Sequence, residues 1–357
     1  MRILIATDAW RPQVNGVVHT LEATAQAAKS LGAEVSFLTA EGFPTVRLPS
    51  YPGIRIALPR AREIARRISA VRPDAVHIAT EGPIGYFVRR FCVADRLAFT
   101  TSLHTRFADY LAARWPIPPN WTWAWMRWFH NAGRGTMVST ASLASELRSH
   151  GFNNVLRWPR GVDSALFHPD RARDLGLKHP IFLTVGRLAV EKNLDAFLAL
   201  DLPGTKVVIG DGPARAELQS RYRDAVFLGT KHGAELAAIY ASADVFVFPS
   251  RTDTFGLVLL EALASGLPIA GFPVAATQDV VGAVPVAVLD NDLRAACLGA
   301  LGIPRYACRQ YAETMTWEAS ARAFLGNLVN FRNSAAVPLS SPSAVSGGRW
   351  GSQARGL

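Results

Sequence analysis

Short apolar runs alternate with helix-like segments along this chain, and that alternation constrains the fold more than any other feature. Within Arg2–Thr7 the run Ile3-Leu4-Ile5-Ala6 is continuously apolar rather than alternating, which marks a parallel strand buried on both faces. Thr20–Ser30 reads as a helix ending near Gly32, and Val35–Leu38, Ala75–Ile78 and Phe99–Ser102 read as further strands. A second cycle opens at Ile181-Phe182-Leu183-Thr184-Val185, continues at Lys206–Ile209 and returns at Val245-Phe246-Val247-Phe248. A helix at Leu257–Ala264 and a short strand, Pro268-Ile269-Ala270, follow. Strands alternating with helices predict α/β layers, and two such cycles predict two Rossmann-like domains facing a central cleft. The join falls near Gly161–Asp174. Ligands of open α/β sheets sit beyond the carboxyl ends of strands, so the cleft is the expected site.

Composition narrows the class. Of the 357 residues, 49% are apolar and 18% charged, which suits globular cores. No apolar run approaches the roughly 18 residues that a spanning helix needs. The opening Met1–Ala6 reads as a strand, not a signal peptide. Cys92, Cys297 and Cys308 show no metal spacing, and an odd count is a poor disulfide framework, so the cytoplasm is the expected compartment. A formal net charge of +10 favours an anionic partner: nucleic acid, acidic lipid or a phosphorylated substrate. No recognisable nucleic-acid module accompanies it.

The chemistry concentrates in the second cycle. Gly186-Arg187-Leu188-Ala189-Val190-Glu191-Lys192-Asn193 places two cations just beyond a strand. A guanidinium and an ammonium there can neutralise a diphosphate as it departs. Asp253 and Glu261 stand eight residues apart, bracketing Thr254-Phe255-Gly256-Leu257-Val258, which opens the Leu257–Ala264 helix. Helix N-terminal amides point outward unpaired and bind phosphate, and Gly256 lets the backbone come close. Glu261, one turn in, can accept hydrogen bonds from ribose hydroxyls. Taken singly, each of these residues could be a solvated charge; together they suit a sugar nucleotide. Gly210-Asp211-Gly212-Pro213 and Arg160-Gly161-Val162-Asp163 are turns with either a structural or a site role.

This constellation resembles the retaining family 4 glycosyltransferases, over about Met1 to Asn330. The resemblance implies a GT-B architecture, a UDP- or GDP-sugar donor, and neither a cofactor nor a catalytic metal. Arg187 and Lys192 match positions that contact the diphosphate, and Asp253 and Glu261 match the family's pair of acids. Asp253 departs from the usual glutamate and is one methylene shorter. His104, in Ser102-Leu103-His104-Thr105-Arg106-Phe107, matches a functional histidine, and Gly16 in Pro12-Gln13-Val14-Asn15-Gly16 matches an acceptor-side glycine loop. The implied catalytic set is therefore His104, Asp253, Arg187 and Lys192. Donor binding is assigned to Gly16, Arg187, Lys192, Asp253, Phe255, Gly256, Leu257, Val258 and Glu261. The expected domains are 1–165 for the acceptor and 166–310 for the donor, then a helix within 311–332 packing back on the first. A Ser-, Ala-, Pro- and Gly-rich disordered tail is expected over 333–357.

Two segments bear on the acceptor. Arg60, Arg62, Arg66, Arg67 and Arg72 surround Ile64, Ile68 and Val71 at helical spacing, a basic amphipathic helix suited to anionic membranes. Arg114–His130 carries Trp115, Trp121, Trp123, Trp125 and Trp128, and tryptophan favours the headgroup layer. Together with Asn15, the residues Arg62, Arg66, Arg67, Trp121, Trp123, Trp125 and Trp128 form the expected acceptor and membrane surface. Glu81, Asp109 and Tyr110 could also face the cleft. The SRTDTFG segment and the opening DAWRPQVNGVV look similar to the family branch with glycolipid synthases and mannosyltransferases. A lipid acceptor, diacylglycerol foremost, is the resulting expectation, with the protein held peripherally at the inner face of the cell membrane. The rivals are a transferase with a soluble or polyprenyl-linked acceptor, a sugar-nucleotide 2-epimerase, and a non-catalytic membrane-binding protein. A dinucleotide oxidoreductase would need the G-x-G-x-x-G that the first strand lacks.

Overall fold

The computed structural model describes residues 1–13, 15–48, 51–104 and 118–329. Thr105, Arg106, Phe107, Asp109, Tyr110, Arg114, Trp115 and the 333–357 segment lie outside the described residues. Strands β1 (Arg2–Ala6), β2 (Glu34–Leu38), β5 (Ala75–Ile78), β6 (Phe99–Ser102), β7 (Thr136–Val138) and β8 (Val155–Arg157) form one sheet in the order β2-β1-β5-β6-β7-β8. A separate antiparallel hairpin, β3 (Thr45–Leu48) and β4 (Tyr51–Ala57), sits between β2 and the helix Ala61–Val71 in sequence. The second sheet runs β11-β10-β9-β12-β13-β14, built from β9 (Ile181–Val185), β10 (Thr205–Ile209), β11 (Val226–Gly229), β12 (Val245–Phe248), β13 (Ile269–Gly271) and β14 (Ala287–Leu289). Pairing in both six-stranded sheets is parallel throughout. Each is therefore a Rossmann-like, doubly wound layer.

Period-two side-chain alternation divides each sheet between two cores. Ile3 and Ile5 pack with Leu21, Trp158 and Phe324, whereas Leu4 and Ala6 pack with Ile64, Val76 and Phe129 on the opposite face. In the second sheet, Ile181 and Leu183 face Tyr240 and Leu260, and Phe182 faces Phe197 and Cys297.

Three boundaries differ from expectation. The first helix is Gly16–Ser30, one turn longer than read, because Asn15 caps it: Oδ1 accepts from Val17 N at 3.0 Å and Val18 N at 3.1 Å. Short strands such as β7 and β8 carry only three residues each, too few for their period to show in sequence. Helix Arg305–Glu313 belongs with the second domain, where Arg309 donates to the Ala264 carbonyl at 2.9 Å. The chain then returns beside the outgoing link, with Val162 N donating to Met315 O at 3.0 Å. A Cβ on Gly161 would stand 2.3 Å from Trp317 N, so the two crossings touch backbone to backbone. Helix Trp317–Val329 then lies on the first domain, burying Ala321, Phe324 and Leu328 against Ile3, Ile5 and Leu21. Among the described residues no helix is long and apolar enough to cross a membrane.

Candidate active site

Strand order reverses in the second sheet between β9 and β12, so the crevice beyond their carboxyl ends is the topological switch point. Gly186 and Arg187 leave β9 there, and the 249–256 loop leaves β12 there. The β9 loop is fixed from beside it: Gly186 N donates to Ile209 O at 3.0 Å and Leu188 N to Asp211 O at 2.9 Å. Gly210 has φ +135°, and a Cβ on it would stand 1.8 Å from Gly186 O. The Gly-Asp-Gly turn thus holds the cation-bearing loop in place.

At the crevice Lys192 Nζ lies 2.5 Å from Asp253 Oδ1, and Arg187 pairs with Glu191 at 2.6 Å. The second Asp253 oxygen, Oδ2, is buried without a hydrogen-bond partner. Asp253 also lines a polar cavity of about 70 Å³ between the domains, with Thr140, Ser142 and Leu143 on one side and Arg251, Thr254, Ala275 and Ala276 on the other. Beyond Asp253, Gly256 sits at φ +81° at the start of the helix Leu257–Ala264, which has no side-chain cap. A Cβ there would approach Phe248 Cζ to 3.0 Å, so the position demands glycine for both conformation and space. The N-cap position thus supplies no side-chain oxygen to the first amides of this helix. Phe255 and Val258 pack on the core of the second domain and hold this turn from below.

Glu261 is half-buried, and its Oε2 accepts from Tyr240 Oη at 3.0 Å. Burial pushes its carboxyl up to about 7, with the Tyr240 hydrogen bond opposing the rise.

The first domain meets this crevice directly. A Cβ on Gly16 would stand 3.7 Å from Leu257 Cδ1, and Thr254 Oγ1 donates to the His104 carbonyl at 2.8 Å. Asp279 reaches across the cleft to the start of helix Ala141–Ser149, accepting from Ser142 N at 3.1 Å and from its hydroxyl.

His104 is placed at the cleft as expected, but its ring nitrogens are engaged. Arg160 donates to Nδ1 at 3.3 Å, and Nε2 lies 2.8 Å from Ser102 Oγ. The chain continues from Ser102 Oγ to His77 Nε2 at 3.1 Å and from His77 Nδ1 to Thr100 Oγ1 at 2.9 Å. Because Arg160 can only donate, His104 carries its proton on Nε2. Burial first, then Arg160 and His77, hold the His104 imidazole well below its usual range, so it is neutral. Burial first, then Arg160 and His130, take His77 to about 3, and burial lowers Arg160 to about 9, still cationic at neutral pH. What His104 offers the cleft is a fixed, uncharged ring and a carbonyl already bound to Thr254.

Several acceptor-side expectations need correction. The Asn15 side chain serves the helix cap, not the cleft. Glu81 faces inward, its Oε1 lying 3.1 Å from Nε2 of buried His130. Arg66 and Arg67 both bind Glu63, and Arg67 stacks on Phe43 at 4.0 Å and caps the carbonyls of Glu41 and Gly42. Arg62 is exposed. Trp123 stacks on His150 at 3.9 Å, and Trp125 packs into the core with Phe129. Two residues advance a helix by about 200°, which separates Trp123 from Trp121. Trp121 and Trp128 remain 73% and 48% exposed, and among the expected surface residues they, Arg62 and the exposed Arg66 stay available to a surface. Among the described residues no group of three or more His, Cys, Asp or Glu is placed to hold a metal ion.

The sequence profile described as Glycosyltransferase Family 4 matches residues 14–166, and that of Glycosyl transferases group 1 matches residues 179–300. A GDP-mannose-dependent alpha-mannosyltransferase of Mycobacterium tuberculosis is 32% identical over 311 residues, covering 79% of this chain and 81% of that one. The chain belongs to glycosyltransferase family 4. An alpha-monoglucosyldiacylglycerol synthase of Streptococcus pneumoniae is 25% identical over 315 residues, 75% of this chain and 70% of its own. In structure, sucrose-phosphate synthase from Thermosynechococcus elongatus superposes with a TM-score of 0.77 at 20% identity, over 92% of this glycosyltransferase and 98% of that protein. The fold is GT-B. Sequence reasoning overlooked Tyr240, Ser142 and Asp279, whose partners lie 21 and 137 residues away in the chain. Arg160 was visible only as part of a turn motif.

Proposed function

We propose that this glycosyltransferase moves a hexosyl or hexuronosyl group from a UDP- or GDP-sugar to the free hydroxyl of diacylglycerol, retaining the anomeric configuration and using no metal. The bond from the anomeric carbon to the diphosphate oxygen breaks, a bond to the acceptor oxygen replaces it, and the proton of the acceptor hydroxyl passes to the departing diphosphate. The observation that carries this reading is the β9/β12 crevice, where Arg187, Lys192 and an uncapped helix N-terminus converge opposite Gly16. Arg187 and Lys192 would exchange Glu191 and Asp253 for the diphosphate and stabilise its departing charge, supplying what a divalent ion would otherwise supply. Asp253 and the fixed ring of His104 would frame the sugar, and Glu261 would take the ribose.

Three observations support the lipid acceptor: the S. pneumoniae relative is named for diacylglycerol, the chain carries a net charge of +10, and Trp121, Trp128 and Arg62 are exposed. These would hold the enzyme peripherally on an anionic membrane. The higher identity to the GDP-mannose-dependent relative favours a second reading, mannosyl transfer from GDP-mannose to a saccharide or polyprenyl-linked acceptor.

One assay separates them. The purified protein is incubated with anionic vesicles, with and without diacylglycerol, and a panel of UDP- and GDP-sugars; nucleoside diphosphate and glycolipid are measured by mass spectrometry. Diacylglycerol-dependent release with one donor supports the proposal. Nucleotide binding without diacylglycerol-dependent release sends the acceptor elsewhere, and absence of nucleotide binding overturns the donor site.

A further inference from the structure

Tyr240 lies on the helix Gly233–Ser242 with no exposed surface, wedged between Phe167 and Phe246 with ring centroids 5.6 and 5.7 Å away. A phenol that deep in an apolar core needs a partner for its hydroxyl. The partner is Glu261 Oε2 at 3.0 Å, while Oε1 takes no hydrogen bond from the described residues. One oxygen is held and the other is left over. We propose that Tyr240 is a positioning residue for the donor: its hydroxyl fixes one Glu261 oxygen, so that the carboxylate keeps a single orientation and presents the other to the ribose hydroxyls. This rests on the reading of Glu261 as the ribose acceptor.

The arrangement does two things. A free carboxylate rotates about its last torsion, and fixing it in advance spares that ordering when the nucleotide binds. The phenol also donates to the charged form and so favours it against burial. Other ionisable groups give little help. The helix Leu257–Ala264 holds no further charged residue. On helices packed against it, Arg305 donates to the Ala241, Ala243 and Ser265 carbonyls, and Arg309 to Ala264. Asp279 binds Ser142, Glu235 binds Lys231, and Glu313 binds Arg309. Cys308, beside Arg305, is a thiol that burial pushes up to about 12. Tyr240 is thus the group that sets Glu261.

Tyr240→Phe keeps the ring and its packing and removes only the hydroxyl. UDP and GDP binding are measured by calorimetry between pH 6 and 9 for wild type, Tyr240→Phe and Glu261→Gln. Without the phenol, Glu261 holds its proton to higher pH. The expected result is about tenfold weaker binding by Tyr240→Phe at pH 7, a loss that shrinks by pH 9, with an unchanged melting profile. No loss at any pH, or a loss that comes with a lowered melting temperature, overturns the positioning role; a loss equal at every pH keeps the positioning and overturns the effect on the Glu261 proton. If Glu261→Gln binds as well as wild type, the ribose assignment itself fails. If Glu261→Gln weakens binding while Tyr240→Phe does not, only the role of Tyr240 falls.

Discussion

The two domains have the same kind of crevice, and they differ in whether a carboxylate of the chain fills the helix N-terminus there. Beyond β1 and β5 in the first domain, Asp8 fills the N-terminus of the helix Pro83–Ala94. It accepts from Ile84 N at 2.8 Å, Gly85 N at 3.3 Å and Thr80 Oγ1 at 2.9 Å. A Cβ on Gly82 would stand 2.4 Å from Asp8 Cγ, so the chain closes over that carboxylate. In the second domain the matching helix begins at Gly256 with no cap, and two cations stand beside it. An anion site at a helix N-terminus thus depends less on the helix than on whether the protein supplies its own anion. The first domain does; in the second the N-cap position, Gly256, offers no side chain to the helix.

The largest expected effect tests the open crevice. Lys192→Ala should lower turnover by about 10²–10³-fold, the scale for removing one charge-stabilising donor, with little change in thermal stability. A steady-state assay reads this, and a decrease below threefold would remove Lys192 from the mechanism.

Next comes Glu261→Gln, which should weaken nucleotide binding about tenfold and also make the protein more stable at pH 8. The native carboxyl, at about 7 rather than the ordinary 4.5, holds a proton that the unfolded chain has already lost. Its contribution to stability is therefore present below pH 4.5 and lost as pH rises to 7. Glutamine escapes that loss, a gain of at most about 3 kcal/mol above pH 7, which melting curves at pH 5 and pH 8 would reveal. Equal melting shifts at both pH values would refute the cost of the buried charge.

Asp8→Ala sharpens the comparison from the other side. It should cost about 1–2 kcal/mol of stability by uncapping the first-domain helix while leaving nucleotide affinity within about twofold of wild type. The smallest effect is expected at the surface: Trp121→Ala combined with Arg62→Glu should reduce binding to anionic vesicles several-fold, with turnover on a detergent-dispersed acceptor unchanged. Vesicle cosedimentation checks the first and the assay the second.

These tests also mark what could be read in the sequence. Continuous apolar runs announced β1, β9 and β12, because strands buried on both faces need no alternation. The Arg187–Lys192 spacing and the Asp253–Glu261 spacing pointed to the β9/β12 crevice because Arg187, Lys192 and Asp253 follow two strand ends and Glu261 lies in the helix that comes next. The chain of Arg160, His104, Ser102 and His77 was hidden, since it joins separate strands and the interdomain link. So was the Ser142–Asp279 contact, which spans 137 residues. Local periodicity carries no record of such pairings. The tryptophans misled for a related reason: a helix turns about 100° per residue, so a dense cluster splits between core and surface.

The central claim is that the second-domain crevice, and not its counterpart, binds a nucleoside diphosphate. Calorimetric titration of UDP and GDP into wild type, Lys192→Ala and Asp8→Ala tests it most directly. The account predicts that wild type and Asp8→Ala bind one of the two nucleotides with affinities within about twofold, and that Lys192→Ala binds it at least about tenfold more weakly. Equal binding by wild type and Lys192→Ala, or a loss in Asp8→Ala as large as in Lys192→Ala, would contradict it.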